Sequence, residues 1–199
     1  MNIYRKKLIN AVLFFSKETN HTNITKLMKL LNFLDFEHFN QTGYPSIGLD
    51  YYAFDNGPVP KNFWLEIKDA ELPEDLGKLV SVYYRTWGEE NKKKEIEFRA
   101  KPNTKVDFDV FSPREQKILK NLAFIYKDAY AKDMSNISHE DNKPWEITRN
   151  TKGKNALIDY MLALDENSEI DPRDARESLH DHIETVKAFN IEPVNTHAK

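Results

Sequence analysis

The stretch Thr25–Pro60 reads TKLMKLLNFLDFEHFNQTGYPSIGLDYYAFDNGPVP. It joins an apolar helical pattern, a helix stop, a tyrosine-rich segment and a turn that reads Asn-Gly-Pro-Val-Pro. None of these patterns is typical of an enzyme's reaction centre. We therefore predict that this stretch forms the centre of the fold and that the remaining elements pack around it.

The first part of the stretch predicts a helix from Ile24 to about Asn40. Its apolar residues recur at helical spacing, at Ile24, Leu27, Met28, Leu31 and Leu34. Three further apolar side chains widen this surface beyond one stripe: Leu30, Phe33 and Phe36. We therefore expect the helix to be buried on most sides. Gly43, with Pro45 beyond it, is a typical left-handed helix stop.

The second part predicts an extended segment and a tight turn. Leu49–Phe54 is rich in aromatic residues, and Asp55–Pro58 has strong turn chemistry because Gly accepts a positive φ and Pro fixes the next φ. We expect Pro58 or Pro60 to lie in the first turn of a third helix, where a missing N–H costs nothing. That helix would end before Pro73.

The elements outside the stretch follow from periodicity. A first amphipathic helix is predicted from about Ile3 to Lys17. Leu79–Arg85 and Glu95–Arg99 alternate as strands, and the charged link between them predicts an antiparallel hairpin. A lone hairpin is marginal in water, so we expect it to lie on the helices or to gain a third strand.

The last third of the chain predicts three more helices. Ser112-Pro113-Arg114-Glu115 offers a capping box ahead of a buried face formed by Ile118, Leu119, Leu122, Ile125 and Tyr126. Further helices are predicted at Ala156–Leu164 and from Asp171 to Phe189. The predicted fold is mainly α, a single-domain bundle of about six helices with a small hairpin, spanning residues 1–192 before a frayed tail at 193–199.

The composition excludes several classes of protein. The 29 basic and 32 acidic residues nearly cancel to a net charge of -3, whereas a nucleic-acid-binding domain is usually markedly basic. The absence of cysteine excludes disulfides, thiol nucleophiles and cysteine-ligated metal sites. No apolar run is long enough to span a bilayer, and Lys17 and Glu18 stand where a signal peptide needs small residues. We expect a cytoplasmic protein without a membrane partner.

Two pairs of residues have the spacing of a metal site on a helix: Asp35 with His38, and Glu177 with His180. Di-metal sites in helical bundles use such pairs together with a Glu from each of two further helices. No such inward-facing Glu is evident, and one pair has Asp where Glu is expected. His180 and His182, two residues apart, would point to nearly opposite sides of a helix. Solvated surface residues are the favoured interpretation, and we predict no metal and no other cofactor.

Signals for catalysis are equally weak. His139, Glu140 and Asp141 lie in sequence beside Trp145, but a catalytic triad is a spatial arrangement that neighbours in sequence do not establish. A capping or hydrogen-bonding role is favoured for Ser138 and His139. No glycine-rich loop precedes a helix in a phosphate-binding pattern, and we predict no enzyme.

Three motifs, in this order, resemble those of one known family. Lys26–Asp35 (KLMKLLNFLD) is similar to the K-L-x-K-L-L-Y-F-x-D helix of the Panacea domain family, also called SocA-like or GepA-like antitoxins. Residues 51–60 (YYAFDNGPVP) resemble its Y-x-A-W/F-x-x-G-P-V-x segment. Ser138-His139 followed by Pro144-Trp145 is similar to its S-H-x-x-x-x-P-W signature. The resemblance covers about residues 5–150, with Asn32 and Phe54 as mild departures.

The resemblance implies a helical antitoxin that neutralises a cognate protein toxin, usually from a neighbouring gene, by direct contact. Partners of the family are chemically diverse, so the resemblance does not name the toxin. Some members add a helix-turn-helix domain for DNA. The chain has no room for one outside the resemblance, and we expect no direct nucleic-acid binding.

An aromatic cluster beside a rigid turn is a good contact surface. We expect the partner-binding residues to be Tyr51, Tyr52, Phe54, Asn56, Gly57, Pro58, Val59 and Pro60, with Trp145 packing behind them. A second set of motif residues is interpreted as structural: Lys26, Leu30, Leu31, Asp35, His38, Ser138 and His139. Asp35 in that set is expected to be a buried or capping polar group.

Two other functions remain open at this point. The first is a proteolytic adaptor that delivers a client to a protease, with the segment Glu192–Lys199 as a docking element. The second is a metal-dependent enzyme that would use Asp35, His38, Glu177 and His180. Client half-life with and without the tail tests the first, and metal analysis of the purified protein tests the second.

Overall fold

The structure is a computed structural model that describes residues 1–87, 93–134, 143–189 and 191. The predicted fold class is confirmed, because the protein is mainly α-helical. The described residues form two antiparallel two-stranded sheets, where the sequence predicted one hairpin. The tip of the predicted hairpin, the pair Ser138 and His139, and the tail at 193–199 lie outside the described residues.

The helices are α1 (Ile3–Glu18), α2 (Ile24–Thr42), α3 (Lys61–Ile67), α4 (Glu74–Gly77), α5 (Pro113–Ile125), α6 (Lys143–Lys152) and α7 (Pro172–Ala188). The strands are β1 (Tyr51–Phe54), β2 (Gly57–Pro60), β3 (Val80–Trp87) and β4 (Lys93–Ala100). Two 3₁₀ turns lie at Phe108–Val110 and Tyr160–Ala163, and residues 131–134 form one further helical turn.

Helix α2 lies at the centre of the fold. It begins where the side chain of Asn23 accepts a hydrogen bond from the backbone N–H of Lys26 at 2.8 Å. It ends at Gly43, whose φ of 81° gives the left-handed stop that the sequence predicted. Along it, α2 contacts α1, α5, α7 and β2, and most of its residues are buried. The prediction of a helix buried on most sides is confirmed.

The prediction that Pro58 or Pro60 begins a helix is wrong. Gly57–Pro60 is strand β2, which pairs with β1 in a hairpin, and α3 begins one residue later at Lys61. Pro58 pairs with Ala53, and Pro60 pairs with Tyr51. Ala53 and Tyr51 form backbone hydrogen bonds with residues 155–158, on the side of β1 that faces away from β2. Neither proline is therefore required to donate an N–H across the hairpin. The turn chemistry of the sequence was compatible with a hairpin as well as with a helix start.

The predicted helix at Ala156–Leu164 is also wrong. The chain runs extended along the free edge of β1, where the N–H of Ala53 donates to the carbonyl of Ala156 at 2.9 Å. The N–H of Ile158 donates to the carbonyl of Tyr51 at 2.8 Å. These bonds satisfy the outer edge of β1, which a helix at this position would leave unpaired. Only the 3₁₀ turn at Tyr160–Ala163 is helical.

The sheet formed by β3 and β4 agrees with the predicted hairpin. Strand β4 packs against α1, and the N–H of Phe98 donates to the carbonyl of Thr22 at 2.8 Å. Asn23 forms a single bridge with Glu97 beside it. The hairpin therefore gains both the helical support and the third extended segment that its marginal stability requires.

Helix α5 begins with the predicted capping box between Ser112 and Glu115. Ile118, Leu119 and Leu122 are buried as predicted, but Ile125 is 64 % exposed, so its place in the buried face is wrong. Helix α7 begins at the predicted cap, where the side chain of Asp171 accepts from the backbone N–H groups of Arg173 and Asp174. Helix α6, which carries Trp145, was not predicted.

Over the described ranges, no helix combines the length and the apolar character that crossing a bilayer requires.

Candidate functional site

The hairpin of β1 and β2 has one buried face and one open face. Tyr51, Ala53, Pro58 and Pro60 are buried on the inner face, as the two-residue period of a strand requires. On the outer face, Tyr52 and Val59 stand opposite each other and Phe54 follows, each of them partly exposed. Asp55 and Asn56 are exposed at the tip. We call Tyr52, Phe54, Asp55, Asn56 and Val59 the hairpin patch.

The structure therefore divides the predicted partner-binding residues into two groups. Tyr52, Phe54, Asn56 and Val59 are open to a partner, whereas Tyr51 is 1 % exposed and the turn glycine and both prolines are buried. The buried members shape the hairpin, since they hold its inner face on the core. Among the predicted partner-binding residues, Tyr52, Phe54, Asn56 and Val59 are the ones that offer side chains for direct contact.

Trp145 and Arg149 of α6 hold the hairpin from behind. The indole N–H of Trp145 donates to the carbonyl of Phe54 at 2.8 Å, and Arg149 donates to the same oxygen at 3.2 Å. Arg149 and Lys154 also form ion pairs with Asp55 at 2.8 and 2.9 Å. Hydrogen bonds from Lys154 and Arg149 lower the pKa of the Asp55 carboxyl. These contacts hold the tip of the hairpin in one conformation.

A cavity of about 340 Å³ opens beside the hairpin patch. Met28 and Lys29 of α2 line it on one side, and Phe54, Val59 and Trp64 line it on another. The rings of Phe54 and Trp64 meet edge to face, with their centroids 6.0 Å apart. The patch is thus continuous with an aromatic-lined hollow rather than a flat surface.

Lys29 carries a buried charge under the hairpin. The residue is 2 % exposed, its Nζ lies 3.4 Å from the carbonyl oxygen of Asn56, and burial lowers the pKa of its ammonium to about 8. Gly57 has φ +122°, and a Cβ there would lie 3.1 Å from this Nζ. The turn glycine therefore gives both the left-handed conformation and the room that the buried ammonium requires.

Asp35 binds the loop that leads into β1. Its carboxylate accepts from the N–H groups of Ile47, Gly48 and Leu49 at 2.6, 3.2 and 3.2 Å. It also accepts from the hydroxyls of Tyr51 at 3.1 Å and Tyr160 at 3.3 Å. Complete burial raises the pKa of this carboxyl to about 6, while the three backbone N–H donors and the hydroxyl of Tyr51 act in the opposite direction.

The other motif residues of α2 also lie inside the fold. Leu30 and Leu31 are 0 % exposed, and Nζ of Lys26 donates to the carbonyl oxygens of Asn20 and Ala129, each at 2.7 Å. His38 is buried, with Nδ1 2.8 Å from the carbonyl oxygen of Tyr44. The buried lysine thus joins α2 to the segment after α5.

The two candidate metal pairs lie in different surroundings. Asp35 and His38 are buried and bonded to the backbone, so their interpretation as solvated surface residues is wrong. Glu177 and His180 are exposed on α7, as that interpretation predicted. Within residues 1–87, 93–134, 143–189 and 191, no group of three or more His, Asp or Glu side chains is close enough to hold a metal ion. Ser138 and His139 belong to the undescribed part of the chain.

The sequence reasoning did not single out Lys29, Trp64 or Arg149 as site residues. A lysine inside the apolar run KLMKLL indicates a buried cation, so the burial of Lys29 could have been predicted from the sequence. Trp64 and Arg149 belong to elements that only the tertiary fold brings to the hairpin.

A family model described as "Antitoxin SocA-like, Panacea domain" matches residues 27–146, more than half of the chain. The match includes most of α2 and the whole of β1 to α5, and it ends just after Trp145. No curated protein and no solved structure matches the chain significantly.

Proposed function

Because the chain belongs to the SocA-like antitoxin family with the Panacea domain, we propose that it neutralises a cognate protein toxin by binding it directly. The toxin is the product of a neighbouring gene in this proposal. Contact with the hairpin patch covers the toxin's active surface or holds the toxin in an inactive state. The proposal needs no cofactor and no reaction at the antitoxin.

The observation that carries the proposal is the pre-formed outer face of the hairpin. Tyr52, Phe54 and Val59 offer apolar and aromatic area, and tyrosine is among the residues that contribute most of the binding free energy at protein interfaces. The hydrogen bonds from Trp145 and Arg149 fix the backbone beneath them. A surface that is already ordered loses little conformational entropy when a partner binds.

The cavity beside the patch supports the same interpretation. An aromatic side chain or a short apolar side chain of a toxin can enter it beside the packed rings of Phe54 and Trp64. The most strongly contributing residues of an interface often fill such pockets on the partner. Deep anchoring of this kind would give the long-lived complex that neutralisation requires.

The proposal is tested by co-expression with the product of the neighbouring gene. We expect the wild-type chain to restore growth and to co-purify with that product. Val59→Asp places a charge on the patch and is expected to abolish both effects. Ile183→Asp changes an exposed apolar residue of α7 and is the matched control, expected to behave as wild type. No rescue and no complex with the wild-type chain would reject the proposal.

A further inference from the structure

Strand β3 is an edge strand of its sheet. Its partner β4 lies on one side of it, and the short helix α4 also contacts it. The far edge of β4 is occupied, since the N–H of Phe98 donates to the carbonyl of Thr22 at 2.8 Å. Among the residues that the structure describes, no backbone group bonds to the far edge of β3. Tyr84, in the middle of this strand, is 65 % exposed.

The register of the sheet shows which backbone groups of that edge are open. Phe98 pairs with Val82, and its N–H points away from β3, towards Thr22. In an antiparallel ladder both members of such a pair turn their N–H and C=O groups outward, and pairs of this kind recur at every second residue. Val82, Tyr84 and Thr86 therefore point their backbone groups away from β4. Together they form a row of donors and acceptors along the open edge.

The sequence of β3 lacks the features that usually protect an edge strand. Natural edges are blunted by proline, by lysine or by a bulge. Val80–Trp87 contains no proline and no lysine, and its pairing with β4 runs along the whole strand without a bulge. Its one charged residue is Arg85, which pairs with Glu97 of β4 at 3.3 Å. The strand is rich in Val, Tyr, Thr and Trp, which favour extended pairing, so its open edge is suited to a further strand.

The spacing of the open groups is self-complementary. A two-fold axis at Tyr84 lays β3 antiparallel to the same strand of a second chain. Tyr84 then pairs with Tyr84 of the second chain, Val82 pairs with Thr86, and Thr86 pairs with Val82. Because all of these residues point their backbone groups outward, each pair exchanges both of its N–H···O bonds. The open edge of one chain thus satisfies the open edge of the other.

The side chains on both faces agree with this register. On one face the rings of the two Tyr84 residues stand opposite each other, and aromatic pairs at such positions stabilise a sheet. On the other face Arg85 stands opposite Tyr83 of the second chain, so no like charges are opposed. An axis moved by one residue to Arg85 would set the two guanidinium groups directly opposite each other, which is destabilising. The side chains therefore favour the axis at Tyr84.

We propose that two copies of this chain pair their β3 strands across a two-fold axis at Tyr84. The two hairpins then form one continuous sheet in the order β4, β3, β3, β4. The pairing uses the open edge of each β3, while Thr22 already occupies the far edge of each β4 beside Phe98. The assembly therefore closes as a dimer and does not grow into a fibre. The inference goes beyond the proposed function, because it names a second copy of the chain and not the toxin.

The first test uses the meeting of residue 84 with itself. Sedimentation equilibrium is expected to show that the wild-type chain dimerises with a Kd in the micromolar range, as is usual for a small interface. Tyr84→Lys and Tyr84→Glu each oppose like charges and remove the aromatic pair, so each is expected to raise the Kd of the dimer at least about fivefold. An equimolar mixture of the two variants opposes unlike charges and is expected to dimerise more tightly than either variant alone.

The matched control for this charge pair is Phe124 of α5, which is 85 % exposed and lies outside the sheet. Phe124→Lys and Phe124→Glu should each dimerise as wild type, and mixing them should change nothing. Circular dichroism checks that every variant is folded.

A second test separates the backbone from the side chain. Tyr84→Pro removes an N–H that β4 does not use, and proline is tolerated where the N–H of an edge strand faces outward. Tyr84→Ala removes the ring but keeps this N–H. The axis passes through residue 84, so the proline removes a hydrogen bond from each chain. We expect the Kd of the dimer to be at least about tenfold higher in Tyr84→Pro than in Tyr84→Ala.

The outcomes decide the inference without deciding the proposed function. A wild-type chain that stays monomeric at the highest soluble concentration overturns it. A dimer that the Tyr84 variants leave unchanged overturns it too, as does a mixture of Tyr84→Lys and Tyr84→Glu that fails to recover the dimer. Should Tyr84→Pro lose its fold, the charge pair alone decides. A monomeric chain whose affinity for the toxin falls in Tyr84→Pro would assign the edge to the toxin and would also exclude the pairing of two copies.

Discussion

Asp35 shows how one residue connects three parts of the fold. Its carboxylate, at the middle of α2, accepts from the loop at 47–49 and from tyrosines of β1 and of the second 3₁₀ turn. A buried carboxylate is costly unless its oxygens are satisfied, and here five donors satisfy them. The residue thus fixes where the chain enters the hairpin.

Asp35→Ala is expected to destabilise the protein by at least about 3 kcal/mol, because it leaves three backbone N–H groups and the hydroxyl of Tyr51 buried without their acceptor. The hydroxyl of Tyr160 keeps the carbonyl of Leu49 as its acceptor at 2.6 Å. Urea unfolding followed by circular dichroism measures this free energy. Glu37→Ala, an exposed change on the same helix, should stay within about 0.5 kcal/mol of wild type. A loss below about 1 kcal/mol in Asp35→Ala would show that the network does not support the fold.

Individual residues also show how far sequence reasoning reaches. The need for Gly at position 57 was predictable from turn chemistry, since its positive φ is a local property. The close approach of the Lys29 ammonium to Gly57 was not predictable, because it depends on the packing of α2 against β2. Asp35 was expected to be buried or capping, but its five donors come from segments 12 to 125 residues away, and no local pattern reports them.

At the scale of elements, α7 attaches to the end of α2 through a small and close contact. A Cβ on Gly43 would lie 2.8 Å from Cα of Ala175 and 2.9 Å from Cβ of Ser178. The hydroxyl of Ser178 donates to the carbonyl of Thr42 at 2.7 Å. The glycine that stops α2 is therefore also the surface on which α7 rests.

Gly43→Ala is expected to loosen α7, because the added Cβ must push the helix away. Hydrogen exchange of the α7 amides measures this as a loss of protection. Gly153→Ala is the matched control, since Gly153 has a similar φ of +90° but no atom within 4 Å of an added Cβ. Backbone strain in Gly153→Ala should lower the free energy of unfolding by about 1 kcal/mol or more, while the α7 amides keep their protection from hydrogen exchange. Equal protection of α7 in both variants would contradict the close contact.

His182 makes the docking of α7 sensitive to pH. Its ring stacks on Tyr44 at 4.6 Å, and Nε2 lies 3.0 Å from the hydroxyl of Tyr4. Burial lowers the pKa of this imidazole below its ordinary value of 6.5, with Lys7 and His38 acting in the same direction and Glu115 against them. The contribution of neutral, buried His182 to the free energy of unfolding is therefore complete above about pH 6.5, and it is lost as the pH falls from there through the lowered pKa.

Protection factors of the α7 amides are expected to fall between pH 7.5 and pH 5.5 in the wild-type chain. His182→Gln keeps a polar side chain near Tyr4 but does not titrate, so its protection should change less over the same range. His38 also has a pKa lowered by burial and contributes a remaining pH dependence in both chains. An identical fall in the wild type and in His182→Gln would exclude His182 as the cause.

The helix predicted at Ala156–Leu164 was wrong for a reason that the local sequence does not report. Residues 155–158 run along the edge of β1 because that edge has unpaired backbone groups, although the local apolar spacing favoured a helix. The elements with strong local caps, α2 and α5, were predicted correctly. Local signals therefore identify element ends well, whereas edge pairing depends on a partner distant in the sequence.

At the scale of the whole molecule, α2 connects the proposed contact surface for the toxin to the rest of the fold. Met28 and Lys29 of this helix line the cavity at the hairpin patch, and the same helix also packs against α5. Helices α1 and α7 lie outside the residues that the family model matches, yet both pack on α2. The sequence reasoning found the hairpin through its turn and aromatic residues. The cavity beside the hairpin patch was not predicted, because its lining residues come from α2, the hairpin and α3 and form no contiguous sequence pattern.

Direct binding of a toxin through the hairpin patch is measured by calorimetry with the purified product of the neighbouring gene. We expect a tight complex with the wild-type chain and a loss of affinity of at least about tenfold in Val59→Asp, while Ile183→Asp binds as wild type. The absence of a complex with the wild-type chain, or undiminished affinity in folded Val59→Asp, would contradict it.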